Sequence, residues 1–188
     1  MQVSKYIIIA IITIVSLHTA NTQLIIQAGL NVSSWRVSST LGSYESASKI
    51  GFHAGVTYSK TIGTNFQFRP GIFYSQKGAK EYTDPTTLNY LDLPFSFVYQ
   101  KNPSEGFFAS GGLYFAHLLS ADLFGNDIKD NFNSFDMGIN LGAGFDFKVM
   151  IIGFQGGIGL VNIFKSDGTA NEITPTNSNG QLYLAIKL

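Results

Sequence analysis

From Leu24 onward apolar and polar residues alternate with period two, and the alternation recurs in eight runs. The first, Leu24 to Trp35, sets Leu24, Ile26, Ala28, Leu30 and Val32 against Gln27, Gly29, Asn31 and Ser33. The cleanest, Ser134 to Lys148, sets Phe135, Met137, Ile139, Leu141, Ala143, Phe145 and Phe147 against Asp136, Gly138, Asn140, Gly142, Gly144 and Asp146. The others occupy 49–60, 65–77, 88–101, 106–120, 151–163 and 181–188, with 106–120 the least regular. Successive side chains of a strand point to opposite faces, so each run predicts a strand with one apolar and one polar face. Each is about as long as a tilted bilayer-crossing strand requires, roughly ten residues.

The connections alternate as strictly as the strands. Segments 36–48, 78–87, 121–133 and 164–180 are long and polar, whereas 61–64, 102–105 and the residues around Val149–Met150 are short. Long outer loops and tight periplasmic turns are the signature of an outer-membrane barrel. The expectation is therefore an all-β fold: an eight-stranded antiparallel up-and-down transmembrane β-barrel. It has four long loops facing outward, three short periplasmic turns and both ends of the barrel on the periplasmic side.

A soluble barrel would alternate too, with its apolar face inward. Three features turn that face toward lipid instead. Eleven glycines (29, 51, 55, 71, 112, 138, 142, 144, 153, 157 and 159) share the polar parity, where they suit the interior of a narrow barrel and would make a poor solvated surface. No charged residue lies on the apolar parity inside a span; Lys60 and Lys101 fall at the periplasmic ends, where a long side chain can snorkel. Tyr58, Phe66, Tyr99, Phe107 and Phe147 gather near those same ends on the apolar parity, as a periplasmic-side aromatic girdle at headgroup level would. The lipid bilayer is thus the first partner.

Ahead of the strands, residues 1–22 combine Lys5 with an apolar run from Tyr6 to Leu17 and a small-residue stretch ending Ala20-Asn21-Thr22. The run is too short to span a bilayer as a helix, which needs about 20 residues. It reads as a cleavable signal peptide, leaving 23–188 as one barrel domain. No Cys follows it, so a lipid anchor is excluded.

Composition narrows the chemistry. Charged residues make up 13% of 188 residues, hydrophobic ones 45%, and there is no Cys, which removes disulfides, thiolate metal sites and a cysteine nucleophile. Lys+Arg and Asp+Glu are 12 each, so no charge excess points to nucleic acid. Four charges lie well inside spans on the inward parity: Arg69, Asp92, Asp136 and Asp146. Buried charges require partners, so an interior polar network built around Arg69 is expected. It serves to plug and hydrate the barrel, because eight strands enclose little more than side chains.

Other candidates are weaker. His117 lies on the lipid-facing parity near Ser120, an arrangement lipid-modifying barrel enzymes could use; a strand-end polar tip is the plainer reading, and no catalytic residue is assigned. Asp122, Asp127 and Asp130 miss the calcium-loop spacing, and Gly157-Ile-Gly-Leu-Val-Asn lacks the third glycine of a nucleotide fingerprint. Asn31-Val-Ser33 matches a glycosylation acceptor but lies in a strand. No cofactor or metal is expected. Trp35, Tyr44, Phe124 and Phe132, in or beside the outer loops, are candidates for contact with a partner.

Several short motifs occur in order along the chain. They are Ala-Gly-Leu-Asn-Val-Ser (28–33), Tyr-Leu-Asp-Leu-Pro (90–94), Gly-Gly-Leu-Tyr-Phe-Ala-His-Leu-Leu-Ser (111–120), the run Phe135 to Phe147, Gly157 to Ile163, and Asn-Gly-Gln-Leu-Tyr-Leu-Ala-Ile-Lys-Leu (179–188). Together they resemble the small outer-membrane β-barrel family common in Bacteroidetes, labelled porin-family or PorT-like. Two departures are Leu188, where the family usually ends in Phe, and the aromatic continuation Phe95-Ser-Phe-Val-Tyr99 of the fourth strand. The resemblance implies a barrel in the outer membrane of a Gram-negative bacterium. A structural or interaction role with an unidentified extracellular or periplasmic protein partner is the leading expectation. A narrow pore or a component of a secretion machine, as in PorT-like proteins, is the alternative, and a lipid-modifying enzyme the third.

Overall fold

The computed structural model describes residues 22–39, 42–81, 84–102, 104–165 and 174–188. The candidate signal peptide, apart from Thr22, lies outside them. Eight long strands follow in chain order: β1 (Thr22–Ser39), β2 (Ala47–Thr61), β3 (Phe66–Glu81), β4 (Asp84–Gln100), β5 (Gly106–Leu123), β6 (Phe135–Asp146), β7 (Met150–Gly159) and β8 (Thr174–Lys187). Each pairs antiparallel with its neighbour in sequence, and β8 returns to β1 from Ile25↔Lys187 to Ser38↔Thr174. The sheet is therefore a closed, up-and-down, eight-stranded barrel. Closure pairs the backbone N–H and C=O groups that a bilayer could not solvate.

Face parity follows the sequence pattern. On β2, exposed Ile50, Phe52 and Val56 alternate with buried Lys49, His53 and Thr57. The outer surface is a continuous apolar belt, with Leu30, Leu113, Leu141, Phe154 and Leu184 all roughly half exposed or more.

Two of the expected long loops are not loops. β1 pairs onward with a short strand, Gly42–Glu45, from Arg36↔Glu45 to Ser39↔Gly42, and β3 pairs with β4 as far as Glu81↔Asp84. The segments 36–48 and 78–87 are thus strand-built hairpins. Above the bilayer the outward face of the ribbon meets water instead of lipid, so hydrophobic alternation fades there while the hydrogen-bonded ladder continues. The third segment holds a small hairpin, Asp122↔Asp127 and Leu123↔Asn126, and a short 3₁₀ turn, Lys129–Asn131. The fourth is shorter than expected because β8 begins at Thr174.

The irregular alternation of the fifth run has a local cause. Asn89 faces Ser120 while Tyr90 faces Leu118, so Leu119 is an extra residue in the ladder. The bulge reverses parity, and Leu118 and Ala121 both turn inward.

The lumen is too narrow for a ring at every inward position, and the cross-strand register resolves this. Five inward rings each lie directly opposite a glycine of an adjacent strand: Phe108 and Gly144, Tyr114 and Gly138, Tyr183 and Gly153, Phe73 and Gly55, His53 and Gly29. A Cβ at any of these glycines would collide with the ring it faces. The inward glycines are therefore the floor on which the interior aromatics lie.

Candidate functional site

The lumen is built in tiers. At the outer mouth Trp35, Leu88, Leu118, Phe132 and Ile163 are buried in one apolar cluster. Trp35 stacks edge-on against Phe164 at 5.2 Å and tilts against Phe132 at 6.0 Å, while Phe132 and Phe164 lie 4.6 Å apart. The two outer segments that carry these rings are laced together. Asn133 N donates to Ile163 O (2.8 Å), Lys165 N to Asn131 O (3.0 Å) and Ile163 N to Pro175 O (3.0 Å). Asn133 Nδ2 reaches the carbonyls of Asn162 and Phe164. Of the aromatics expected near the outer loops, Trp35 and Phe132 are therefore part of the seal, whereas Tyr44 and Phe124 stand exposed at 64% and 67%.

Below the mouth is an ionic tier. Lys77 Nζ lies 3.1 Å from Asp92 Oδ1 and 3.8 Å from Asp136 Oδ2. The rings of Tyr90 and Tyr114 flank the ammonium at 4.9 and 4.5 Å, within cation–π range. Asn177 Nδ2 donates to Asp136 Oδ2 at 2.9 Å. Further down, Ile25, Val98, Phe108, Ile151, Tyr183 and Ala185 form a second apolar cluster. At the periplasmic end Lys187 Nζ meets Asp146 at 2.7 Å and also donates to Ser104 O at 3.1 Å. Between the tiers lies a cavity of about 70 Å³, lined by residues that include Arg69, Asp92, Asn140 and Gln181.

All four charges expected in the interior are buried there. Their arrangement corrects the expected one, because Arg69 is not the hub. Its guanidinium donates to Gln67 Oε1 (2.8 and 3.2 Å) and Ser59 Oγ (3.2 Å) and lies over the Phe108 ring at 5.4 Å. The carboxylates instead meet Lys77, which closes the third run, and Lys187, on the polar parity of the last run. Their parity was visible: Lys77 continues Arg69 and Ser75, and Lys187 continues Tyr183 and Ala185. A lysine at a strand end has two destinations, snorkelling outward or reaching inward, and only the position of a carboxylate across the barrel selects between them.

Tyr58, Phe66, Tyr99, Phe107 and Phe147 all lie on the outward parity next to the short turns, with Phe66 and Tyr99 paired in register and 5.3 Å apart. The outer rim carries aromatics of its own: Phe52 and Tyr74 lie 5.6 Å apart, and Phe115 and Phe135 6.3 Å.

The remaining chemical candidates are structural. His117 is exposed on the outer wall, and Ser120 Oγ accepts from Asn89 Nδ2 at 2.9 Å rather than from His117. Asp122 caps Gly125 N and Asp127 caps Lys129 N in the small hairpin. Asn31 is wholly buried in the lumen. Among the described residues, no three His, Asp or Glu side chains gather into a metal-binding group.

Residues 18–165, well over half of the chain, match the family described as outer membrane protein beta-barrel domain. The chain belongs to that family. This outer-membrane barrel therefore resides in the outer membrane of a Gram-negative cell. Among solved structures it is similar to Ail of Yersinia pestis (14% identity, 89% of this chain and 99% of that one, TM-score 0.49). It is also similar to Neisserial surface protein A (17%, 88% and 97%, 0.48). OprG from Pseudomonas aeruginosa is a third (12%, 91% and 97%, 0.49). No curated protein matches this outer-membrane barrel.

Proposed function

We propose that this barrel is a sealed, non-conducting and non-enzymatic outer-membrane protein whose role is structural or interaction-based, presenting its outer hairpins to a protein partner. The observation that carries the reading is the double closure of the lumen. The Trp35–Phe132–Phe164 cluster shuts the outer mouth, and the Lys187–Asp146 pair lies across the periplasmic end. A solute would have to separate buried ions and a packed aromatic cluster to pass. The hairpins meanwhile hold Tyr44 and Phe124 out in water, where exposed aromatics suit an interface.

The pairs of Lys77 with Asp92 and Asp136 and of Lys187 with Asp146 stabilise the barrel in this reading, with Arg69 held apart by Gln67 and Ser59, and Tyr58, Phe66, Tyr99, Phe107 and Phe147 anchor its periplasmic edge at the headgroups. Residues 1–22 are removed on export, leaving 23–188, which the mass of the protein recovered from outer membranes tests. The motif resemblance supports a place among the small PorT-like barrels of Bacteroidetes. Conductance of the refolded barrel in a planar bilayer is the deciding measurement. A silent bilayer is expected, and stepwise currents would overturn the proposal in favour of a narrow pore. Lipid analysis by mass spectrometry of cells with and without the protein is expected to show no modified lipid.

A further inference from the structure

The buried charges of the lumen do not balance. Among the described residues, the buried cations are Lys49, Arg69, Lys77 and Lys187, and the buried carboxylates are Asp92, Asp136 and Asp146. His53 adds no charge. Asn31 Nδ2 is committed to three acceptors, so its Oδ1 receives the Nδ1 proton of His53, and the other ring nitrogen faces Gln27 Nε2 as an acceptor. Lys77 takes two of the carboxylates and Lys187 the third. Arg69 is 8% exposed and has no carboxylate within ion-pairing distance. A buried guanidinium that touches only the neutral Gln67 and Ser59, with its nearest charge partner Asp146 out of contact and held by Lys187, is a costly arrangement in a low-dielectric interior.

A second, independent feature lies in the same cavity. Asn140 is 2% exposed, its Oδ1 accepts from Ser96 Oγ at 3.4 Å, and its Nδ2 has no partner although the atom is fully buried. Arg69, Ser96, Gly112 and Asn140 occupy one row across β3, β4, β5 and β6. Gly112 contributes no side chain, so Ser96 and Asn140 meet across it. Arg69, Ser96 and Asn140, with Ser110, Gln181 and Tyr183, line the one cavity of about 70 Å³, which has room for an ion and its waters. The carboxylate that lines the same cavity, Asp92, stands four residues before Ser96 on β4 and is already held by Lys77.

We propose that the lumen cavity beside Arg69 and Asn140 is a binding site for a small inorganic monovalent anion of the halide class. The anion neutralises Arg69 and accepts from the orphaned amide of Asn140. In the sealed barrel proposed above, on which this point rests, it enters as the barrel folds and stays as part of the folded protein. The site thus ties folding to the anion present rather than providing a path for it.

Bromide is the probe. Barrels refolded in detergent with sodium bromide, then crystallised, should show an anomalous bromine peak within hydrogen-bonding distance of the Arg69 guanidinium and Asn140 Nδ2. Their unfolding midpoint should lie above that of barrels refolded in sodium gluconate of equal ionic strength, an anion too large for the cavity. Asn140→Ala removes the unpartnered donor together with one long bond from Ser96 Oγ, a small loss for folding; it should raise the bromide concentration for half-maximal stabilisation about tenfold. Arg69→Gln should abolish the peak. Water alone in the cavity, or a peak unchanged in Asn140→Ala, overturns the proposal whether or not Arg69→Gln refolds.

Discussion

Lys187 turns inward from the end of the last strand and holds its ammonium 2.7 Å from Asp146 Oδ1, with side-chain exposures of 4% and 0%. Asp146 ends β6 and Lys187 ends β8, so the pair bridges across β7 beside the Phe147–Lys148–Val149 turn. The same carboxylate accepts from Lys148 N at 2.9 Å, and Lys148 has a positive φ of 73°. One aspartate therefore fixes a strained turn and ties the last strand to the barrel base.

Removing one partner of this pair should cost far more than removing both. Lys187→Met leaves Asp146 buried and unpaired, a loss of about 3–5 kcal/mol. Asp146→Leu combined with Lys187→Met should recover a large part of it. Urea unfolding, followed by the heat-modifiable gel shift of folded barrels, measures each variant. Equal stability of the single and double variants would show that the pair is not coupled.

The ring-over-glycine arrangement predicts a coupled pair of the opposite kind. All three nearest atoms that a Cβ at Gly153 would meet belong to the Tyr183 side chain. Gly153→Ala should destabilise the barrel by about 1–3 kcal/mol. Gly153→Ala with Tyr183→Ala should cost less than the sum of the two changes, which a double-mutant cycle reads directly.

Trp35 is the only tryptophan of the chain and lies in the mouth cluster at 3% exposure. Its fluorescence should be blue-shifted and protected from acrylamide in the folded barrel. Phe132→Ala should shift the emission to the red, admit the quencher and lower stability by about 3–5 kcal/mol. An unchanged spectrum would mean that the outer segments do not pack on Trp35.

Lipid exposure should depend on depth. Leu141, 67% exposed, lies mid-strand on the outer wall between Gly111 and Gly156. Leu141→Arg should cost about 2–4 kcal/mol, and Tyr99→Arg at the periplasmic rim no more than about 1 kcal/mol. Similar costs at the two positions would contradict a bilayer around this surface.

The period-two alternation sufficed for the strands, their lipid-facing sides and the inward placement of Arg69, Asp92, Asp136 and Asp146. Parity is local, and a strand buried in lipid on one side records it residue by residue. Three things required the closed barrel. The strand hairpins at 36–48 and 78–87 are hidden because an outward face in water, rather than lipid, carries no apolar stripe, while the ladder continues unbroken. Phe132 and Phe164, which seal the mouth against Trp35, come from segments with no periodicity, brought together only when the outer connections fold over the mouth. The choice of Lys77 and Lys187 over Arg69 as partners of the carboxylates depends on the stagger between strands, which brings Lys77 of β3 to Asp92 of β4 and Asp136 of β6, and Lys187 of β8 to Asp146 of β6. Stagger is a property of the whole ring, set when β8 meets β1, and no single stretch of residues carries it.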